Sequence, residues 1–309
     1  MRFFEIKTII SFLVLTIIVF SILIFLGDYK KIIQSLNLVR LDIIITIMIL
    51  ALTGYIFRYF RWEYFLRISN IKIPFKTSFL IFFSGLSMAI TPAKIGEVLK
   101  SYYLKKLEGI KMRKSIMIVF SERLTDILGL SILSLIGLIA FFIHAYFLIP
   151  VFIFIFLLIF ILINEKIFFK LCKFCNKIPL AKKYSKYFKS IYKSSKVLLS
   201  FKSLTITTLI SIISWFFECS AFYLLLNSLG VFLTLLSAIF IFSFSSIFGS
   251  VLVLPGGLGA AEGSFVVLLL LLGVPIAIAS LSTIIFRIFT LFFGVILGAI
   301  ALVLINKKL

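Results

Sequence analysis

One histidine, three cysteines and eleven acidic residues among 309 leave little material for metal or thiol chemistry. His144 stands in a short turn between two apolar runs, and a lone imidazole does not make a metal site. The CKFC motif, Cys172 to Cys175, supplies one ligand pair, but structural zinc takes four ligands and only Cys219, inside an apolar run, is left over. No metal and no cofactor is therefore expected. A glycine-rich phosphate loop ending in GK[ST] is also missing, which argues against direct use of ATP. What the chain has in abundance is apolar sequence: 62% hydrophobic residues and a mean hydropathy of +1.25. Several runs approach the roughly 20 residues that cross a bilayer as helix, so the class is a polytopic membrane protein and a soluble enzyme is excluded. The net charge of +21 comes from 32 Lys and Arg. They cluster between apolar segments, where positive-inside sorting and anionic headgroups account for them, and nucleic acid is not an expected partner.

In chain order, the run at residues 9–26 follows Arg2 and Lys7, lacks a small-residue cleavage site, and reads as a retained first span with the amino terminus inside. A second span covers about 43–57 and ends in RYFRWEYFLR. Arg58, Arg61 and Arg67 there read as cytoplasmic anchors, with Trp62 and Tyr64 in an interfacial belt. Residues 77–90 are apolar but short, and TPAKIGEVLK interrupts them. If they crossed, the seven Lys and Arg between Lys94 and Lys114, and the eleven lysines between Lys166 and Lys202, would lie outside. A re-entrant hairpin over 77–91 removes both violations. A third span begins near Ser115, emerges near Phe142, and a further helix over about 150–163 returns. The loop 164–203 mixes lysines with Tyr184, Tyr187, Phe188 and Tyr192, as a stretch lying on the cytoplasmic leaflet would.

The span at about 204–226 carries Glu218, a lone carboxylate beside Trp215. An apolar stretch from Phe232 leads into LPGGLGAAEGSFVV, where Pro255, Gly256, Gly257 and Gly259 break the backbone. Lipid cannot satisfy the groups so released, so the segment must be buried in protein or line a wet cavity. The last helix, about 275–305, carries Arg287. Gly294 and Gly298 on it form a small-xxx-small packing face. Lys307 and Lys308 then end in the cytoplasm.

The two interruptions are alike. Pro92-x-x-x-Gly96 followed by Glu97, and Pro255-x-x-x-Gly259 followed by Glu262, each precede an arginine-bearing helix. A charge at membrane depth costs at least about 2.5 to 3.5 kcal/mol, so Glu97, Glu122, Arg123, Asp126, Glu262 and Arg287 should face the bundle interior and one another. Glu122 and Asp126, four apart, share a helix face. Paired Gly/Pro-interrupted segments in corresponding halves point to a transporter's central site. The expected architecture is all-α: one membrane domain over 1–309, with two re-entrant hairpins in an inverted repeat (units of about 77–142 and 232–305).

TPAKIGEVLK, the ERLTD helix, LPGGLGAAE and the intramembrane Arg287, in this order, resemble a flippase-like family related to the transmembrane region of lysylphosphatidylglycerol synthases. The resemblance covers nearly the whole chain. It implies movement of lipids across the cell membrane: aminoacylated phosphatidylglycerol in bacterial members, polyprenyl-phosphate sugars in archaeal ones. The synthases carry a soluble aminoacyl-transfer domain after the membrane region; this chain stops at Leu309, so aminoacyl transfer is not expected. The expected partner is then a membrane lipid, either an anionic phospholipid or a polyprenyl-phosphate glycolipid. The path for it would be lined by Pro92, Gly96, Glu97, Glu122, Arg123, Asp126, Pro255, Gly256, Gly257, Gly259, Glu262 and Arg287. Guanidinium groups would hold the phosphodiester and carboxylates would balance them in the empty path. Free N–H groups at the half-helix starts after Pro92 and Pro255 would add to the site. Three other readings stand beside this one: a membrane-embedded transferase using Glu97, Glu122 or Asp126, an accessory subunit of a glycolipid pathway, and purely structural ion pairs.

Overall fold

The computed structural model describes residues 6–92, 94–139, 153, 197–252 and 254–307. His144, the CKFC pair, the helix at about 150–163 and nearly all of the Lys-rich loop lie outside the described residues. Within them the chain is helical and contains no strand. Among the described residues three stretches are long and apolar enough to cross a bilayer: α3 (Leu41–Ile68), α7 (Phe201–Ser228), and α10 (Ile276–Arg287) continued by α11 (Phe293–Asn306). A fourth forms if α1 (Ile6–Leu26) and α2 (Tyr29–Leu36) count as one span bent by 95°. The bend falls at Gly27 and at Asp28, whose carboxylate accepts the Lys30 N–H at 3.1 Å and so caps α2. Shorter helices complete the bundle: α4 (Phe75–Leu86), α5 (Leu99–Glu108), α8 (Leu235–Val251) and α9 (Ala260–Leu271). The remaining long helix, α6 (Met112–Leu138), is the one that carries Glu122, Arg123 and Asp126.

The radial distribution of polarity fits lipid as the surrounding solvent. Ile45, Ile49, Phe60, Ile296, Ile300 and Val303 are exposed, while Arg58 and Arg61 of α3, Ser211 and Ser214 of α7, and Glu122 and Asp126 of α6 are buried. Helix ends follow local chemistry. Gly109 closes α5 in a left-handed conformation, with the Ile110 N–H reaching back to the Leu104 carbonyl at 3.2 Å. Ser200 and Thr234 cap α7 and α8 through their side chains.

Two reciprocal packings organise the bundle. Helix α8 lies on α6, and α4 lies on α11. Glycine makes both close: a Cβ on Gly137 of α6 would sit 2.6 Å from the Phe240 nitrogen of α8, and one on Gly298 of α11 would collide with the backbone of Leu86 and Ser87. Gly294 yields to the Tyr55 ring in the same way, so the small-residue face is a packing face. Between α10 and α11 the helix widens into a π turn, Ile288–Phe292, and the Thr290 carbonyl accepts the Tyr55 hydroxyl at 2.8 Å. Single π turns of this sort recur at functional sites.

Candidate functional site

The two interruptions meet. After α4 the chain tightens into a 3₁₀ turn, Ser87–Ile90, passes through Thr91 and Pro92, and resumes as a second 3₁₀ turn, Ile95–Val98, leading into α5. Between α8 and α9, Gly256 (φ 61°), Gly257 (φ 69°) and Gly259 (φ 86°) all take positive φ, which residues with a Cβ rarely adopt. Pro92 and Pro255 face each other in an isolated antiparallel bridge. Beside them opens a cavity of about 280 Å³.

The cavity wall carries Arg58, Arg61, Lys94, Lys100, Arg123 and Arg287, together with Glu97, Glu122, Asp126 and Glu218. A chain of ion pairs runs along its first side. Asp126 takes Arg61 Nη1 at 2.6 Å and Arg123 Nη2 at 3.0 Å; Arg123 reaches Glu97 at 3.2 Å; Glu97 meets Lys100 Nζ at 3.2 Å; and Lys100 ends on Glu122 at 2.6 Å. Neutral donors complete the Asp126 carboxylate: Ser211 Oγ and Trp215 Nε1 each donate to it at 3.1 Å. Gly85 leaves room for the buried Lys100 stem, whose ammonium lies 5.0 Å from the Trp62 ring centre. On the other side Arg287 Nε contacts Glu262 Oε1 at 2.6 Å, and its Nη2 donates to the Gly256 carbonyl at 2.6 Å. The Nε contact is an ion pair lacking hydrogen-bond alignment. The second Glu262 oxygen accepts the Gly259 N–H at 2.7 Å, fixing the start of α9.

Of the residues expected to line a path, the two arginines each pair with the carboxylate of their own half: Arg123 with Glu97 and Arg287 with Glu262. Glu97, Glu122, Arg123, Asp126, Gly256, Gly257 and Arg287 line the cavity; Pro92, Pro255 and Gly259 form the breaks around it, and Gly96 packs tightly on Thr91 and Met88.

Three expectations are corrected. Arg58, Arg61 and Trp62 are not interfacial anchors: α3 continues unbroken past them to Ile68, and all three are buried. Glu218 is not alone, because Arg58 pairs with it, donates to Ser214 Oγ at 3.0 Å and lies 3.7 Å above the Trp215 ring. The amides of Lys94 to Glu97, after Pro92, are not free for a ligand. Lys94, Ile95, Gly96 and Glu97 all donate within the turn, and Gly257, Leu258, Gly259 and Ala261 do the same after Pro255. A signal for the missed arginines does exist. Thr207, Ser211, Ser214 and Glu218 form a polar stripe at helical spacing along α7, and such a stripe in an apolar helix needs a polar partner.

An all-helical membrane bundle with a charged cavity between two broken segments is thus the class that fold and site define. The model of the lysylphosphatidylglycerol synthase transmembrane region matches residues 9–298, and the chain belongs to that family. A UPF0104 membrane protein of Methanocaldococcus jannaschii is 24% identical over 98% of this chain and 96% of its own length. A second UPF0104 protein of that archaeon is 25% identical over 72% of this chain and 94% of its own. One from Methanothermobacter thermautotrophicus is 34% identical over 33% of this chain.

Proposed function

We propose that this protein is a lipid translocase and not an enzyme. It carries a phosphate-bearing lipid headgroup, of an anionic phospholipid or a polyprenyl-phosphate glycolipid, across the cell membrane. The observation that carries the reading is the intramembrane cavity, whose wall bears six basic side chains beside the meeting point of the two helix breaks. Guanidinium groups suit a phosphodiester because their planar fork donates two hydrogen bonds at once. They rest on carboxylates, which lowers the cost of holding charge away from water.

An inverted repeat belongs to this proposal. Its support is the pairing of Arg123 with Glu97 and of Arg287 with Glu262, the bridge between Pro92 and Pro255, and the exchange of short helices, α4 on α11 and α8 on α6. In this arrangement the two interrupted segments are re-entrant hairpins entering from opposite faces, and both termini are cytoplasmic.

The test is headgroup accessibility in liposomes containing the purified protein. Fluorescent phosphatidylglycerol and a polyprenyl-phosphate sugar are offered in turn, and reduction of the outer-leaflet probe is followed. Protein-dependent exchange of either lipid, lost in Arg123→Lys and Arg287→Lys proteins that accumulate normally, is expected. Normal exchange in both lysine variants would refute guanidinium recognition, and no exchange of any phosphate-bearing lipid would refute translocation.

A further inference from the structure

Of the basic residues on the cavity wall, Lys94 differs from the rest. Arg58, Arg61, Lys100, Arg123 and Arg287 each have a carboxylate within 4 Å; Lys94 has none among the described residues. Its backbone is left-handed, φ 54° and ψ 26°, which is costly for a residue with a Cβ. The turn holds it there: the Lys94 N–H donates to the Thr91 carbonyl at 2.9 Å, and the Glu97 N–H donates to the Lys94 carbonyl at 3.0 Å. The side chain reaches over Trp215, with Nζ 5.8 Å from the ring centre, on the indole that Arg58 also covers. A strained backbone at a ligand-facing position is a recurrent sign of a functional constraint.

Charge gives the ligand class. With every group ionised, the five other cations are matched, among the described residues, by five carboxylates, the four on the wall and Glu262, so the surplus among them is the positive charge of Lys94. We infer that Lys94 is the residue that receives the headgroup, and that the group it receives is a singly charged phosphodiester. One negative charge closes the balance. A zwitterionic headgroup leaves the surplus in place, and a doubly charged phosphomonoester reverses it. The inference rests on the translocation reading for the source of that phosphate.

The second tryptophan, Trp62, can be replaced, so that a Trp62→Phe protein reports from Trp215 alone. In detergent, short-chain phosphatidylglycerol is titrated against Trp215 emission, with short-chain phosphatidylcholine and inorganic phosphate as parallel probes. Phosphatidylglycerol should change the emission saturably. Lys94→Met should weaken its midpoint about tenfold or more, the worth of a hydrogen bond to a charged group, and Lys94→Arg should stay within a few fold. Lys94→Met removes an unpaired charge, so its thermal unfolding should match the parent, which separates lost binding from lost fold. An unchanged midpoint in Lys94→Met, or phosphatidylcholine binding as tightly as phosphatidylglycerol, overturns the inference and leaves lipid translocation standing. Inorganic phosphate binding as tightly as phosphatidylglycerol, with the same loss in Lys94→Met, overturns the phosphodiester class and the lipid source, though Lys94 then remains the residue that receives an anion. No saturable change with any probe overturns the site altogether.

Discussion

Arg287 is the residue where structural and functional roles are most closely joined, and a double-mutant cycle with Glu262 separates them. In the folded protein Glu262 is fully buried; it meets Arg287 Nε at 2.6 Å and accepts the Gly259 N–H at 2.7 Å. Arg287→Met removes the counter-charge and also the donor to the Gly256 carbonyl. Leaving one partner of a buried pair costs roughly 3 to 5 kcal/mol. Glu262→Gln alone keeps an acceptor for Gly259 but leaves the guanidinium uncompensated. The double variant removes both charges and retains the cap, so it should recover most of the loss, giving a coupling energy of about 2 kcal/mol or more. Arg287→Lys keeps the charge but cannot span Glu262 and the Gly256 carbonyl with separate nitrogens of a rigid fork, and should cost roughly 1.5 to 3 kcal/mol. Reversible unfolding in mixed micelles measures these values, and liposome exchange measures function beside them. The double variant should be stable and inactive. A single Arg287→Met protein as stable as the parent, or a double variant that moves lipid, would refute the reasoning.

Three further outcomes follow from the same contacts. Single cysteines at positions 105 and 183, in a version lacking the native three, should both be shielded from an impermeant thiol reagent outside cells, and external labelling of either would remove the re-entrant assignment. Gly137→Leu and Gly298→Leu drive side chains into the backbones of α8 and α4 and should each cost at least about 1 to 3 kcal/mol, whereas Gly263→Ala, whose Cβ meets nothing within 4 Å, should gain up to about 1 kcal/mol; the order of unfolding midpoints checks this. Glu218→Gln takes the charge from the acceptor of Arg58 and should cost roughly 1.5 to 3 kcal/mol, so an unshifted midpoint would mean that the pair contributes nothing.

How much of this was legible depended on whether a residue's role was local. The membrane class and the long helices follow from apolar run length: α7 and α10 with α11 fall where the runs do, while α3 continues past its run to Ile68. The two breaks were legible because Pro and Gly interrupt a helix by their own geometry. Glu262 and Arg287 were legible as interior charges because each stands in apolar sequence with no local partner, and Glu97, Arg123 and Asp126 because they flank or enter an apolar helix, even though each has a partner three residues away. Arg58 and Arg61 were misread because an arginine at the end of an apolar run has a cheap alternative, snorkelling to the interface. Their true environment depends on α7, about 150 residues away in sequence, which brings Ser211, Ser214 and Glu218 against α3. Lys94 was seen in the interruption but had no assigned part, since nothing in a lysine's own chemistry announces a left-handed backbone.

The breaks and the charges also require one another. An unbroken helix engages its carbonyls with its own N–H groups and presents them to a guanidinium less openly than a break does. At the second break the freed Gly256 carbonyl takes one Arg287 donor, and the freed Gly259 N–H takes one Glu262 oxygen, so the irregular backbone helps to orient both members of the ion pair. At the first break the amides are used within the turn, and the turn instead supplies a cation, Lys94. The two sides of the cavity are therefore built alike in their arginine and carboxylate pairs but differ in what the broken backbone contributes. Among the described residues, an anion entering the cavity meets a compensated arginine on both sides and, on the first side, the uncompensated charge of Lys94. A headgroup drawn into it would be held toward Lys94, and its release would require that this one interaction be weakened while the ion pairs beneath it stay intact.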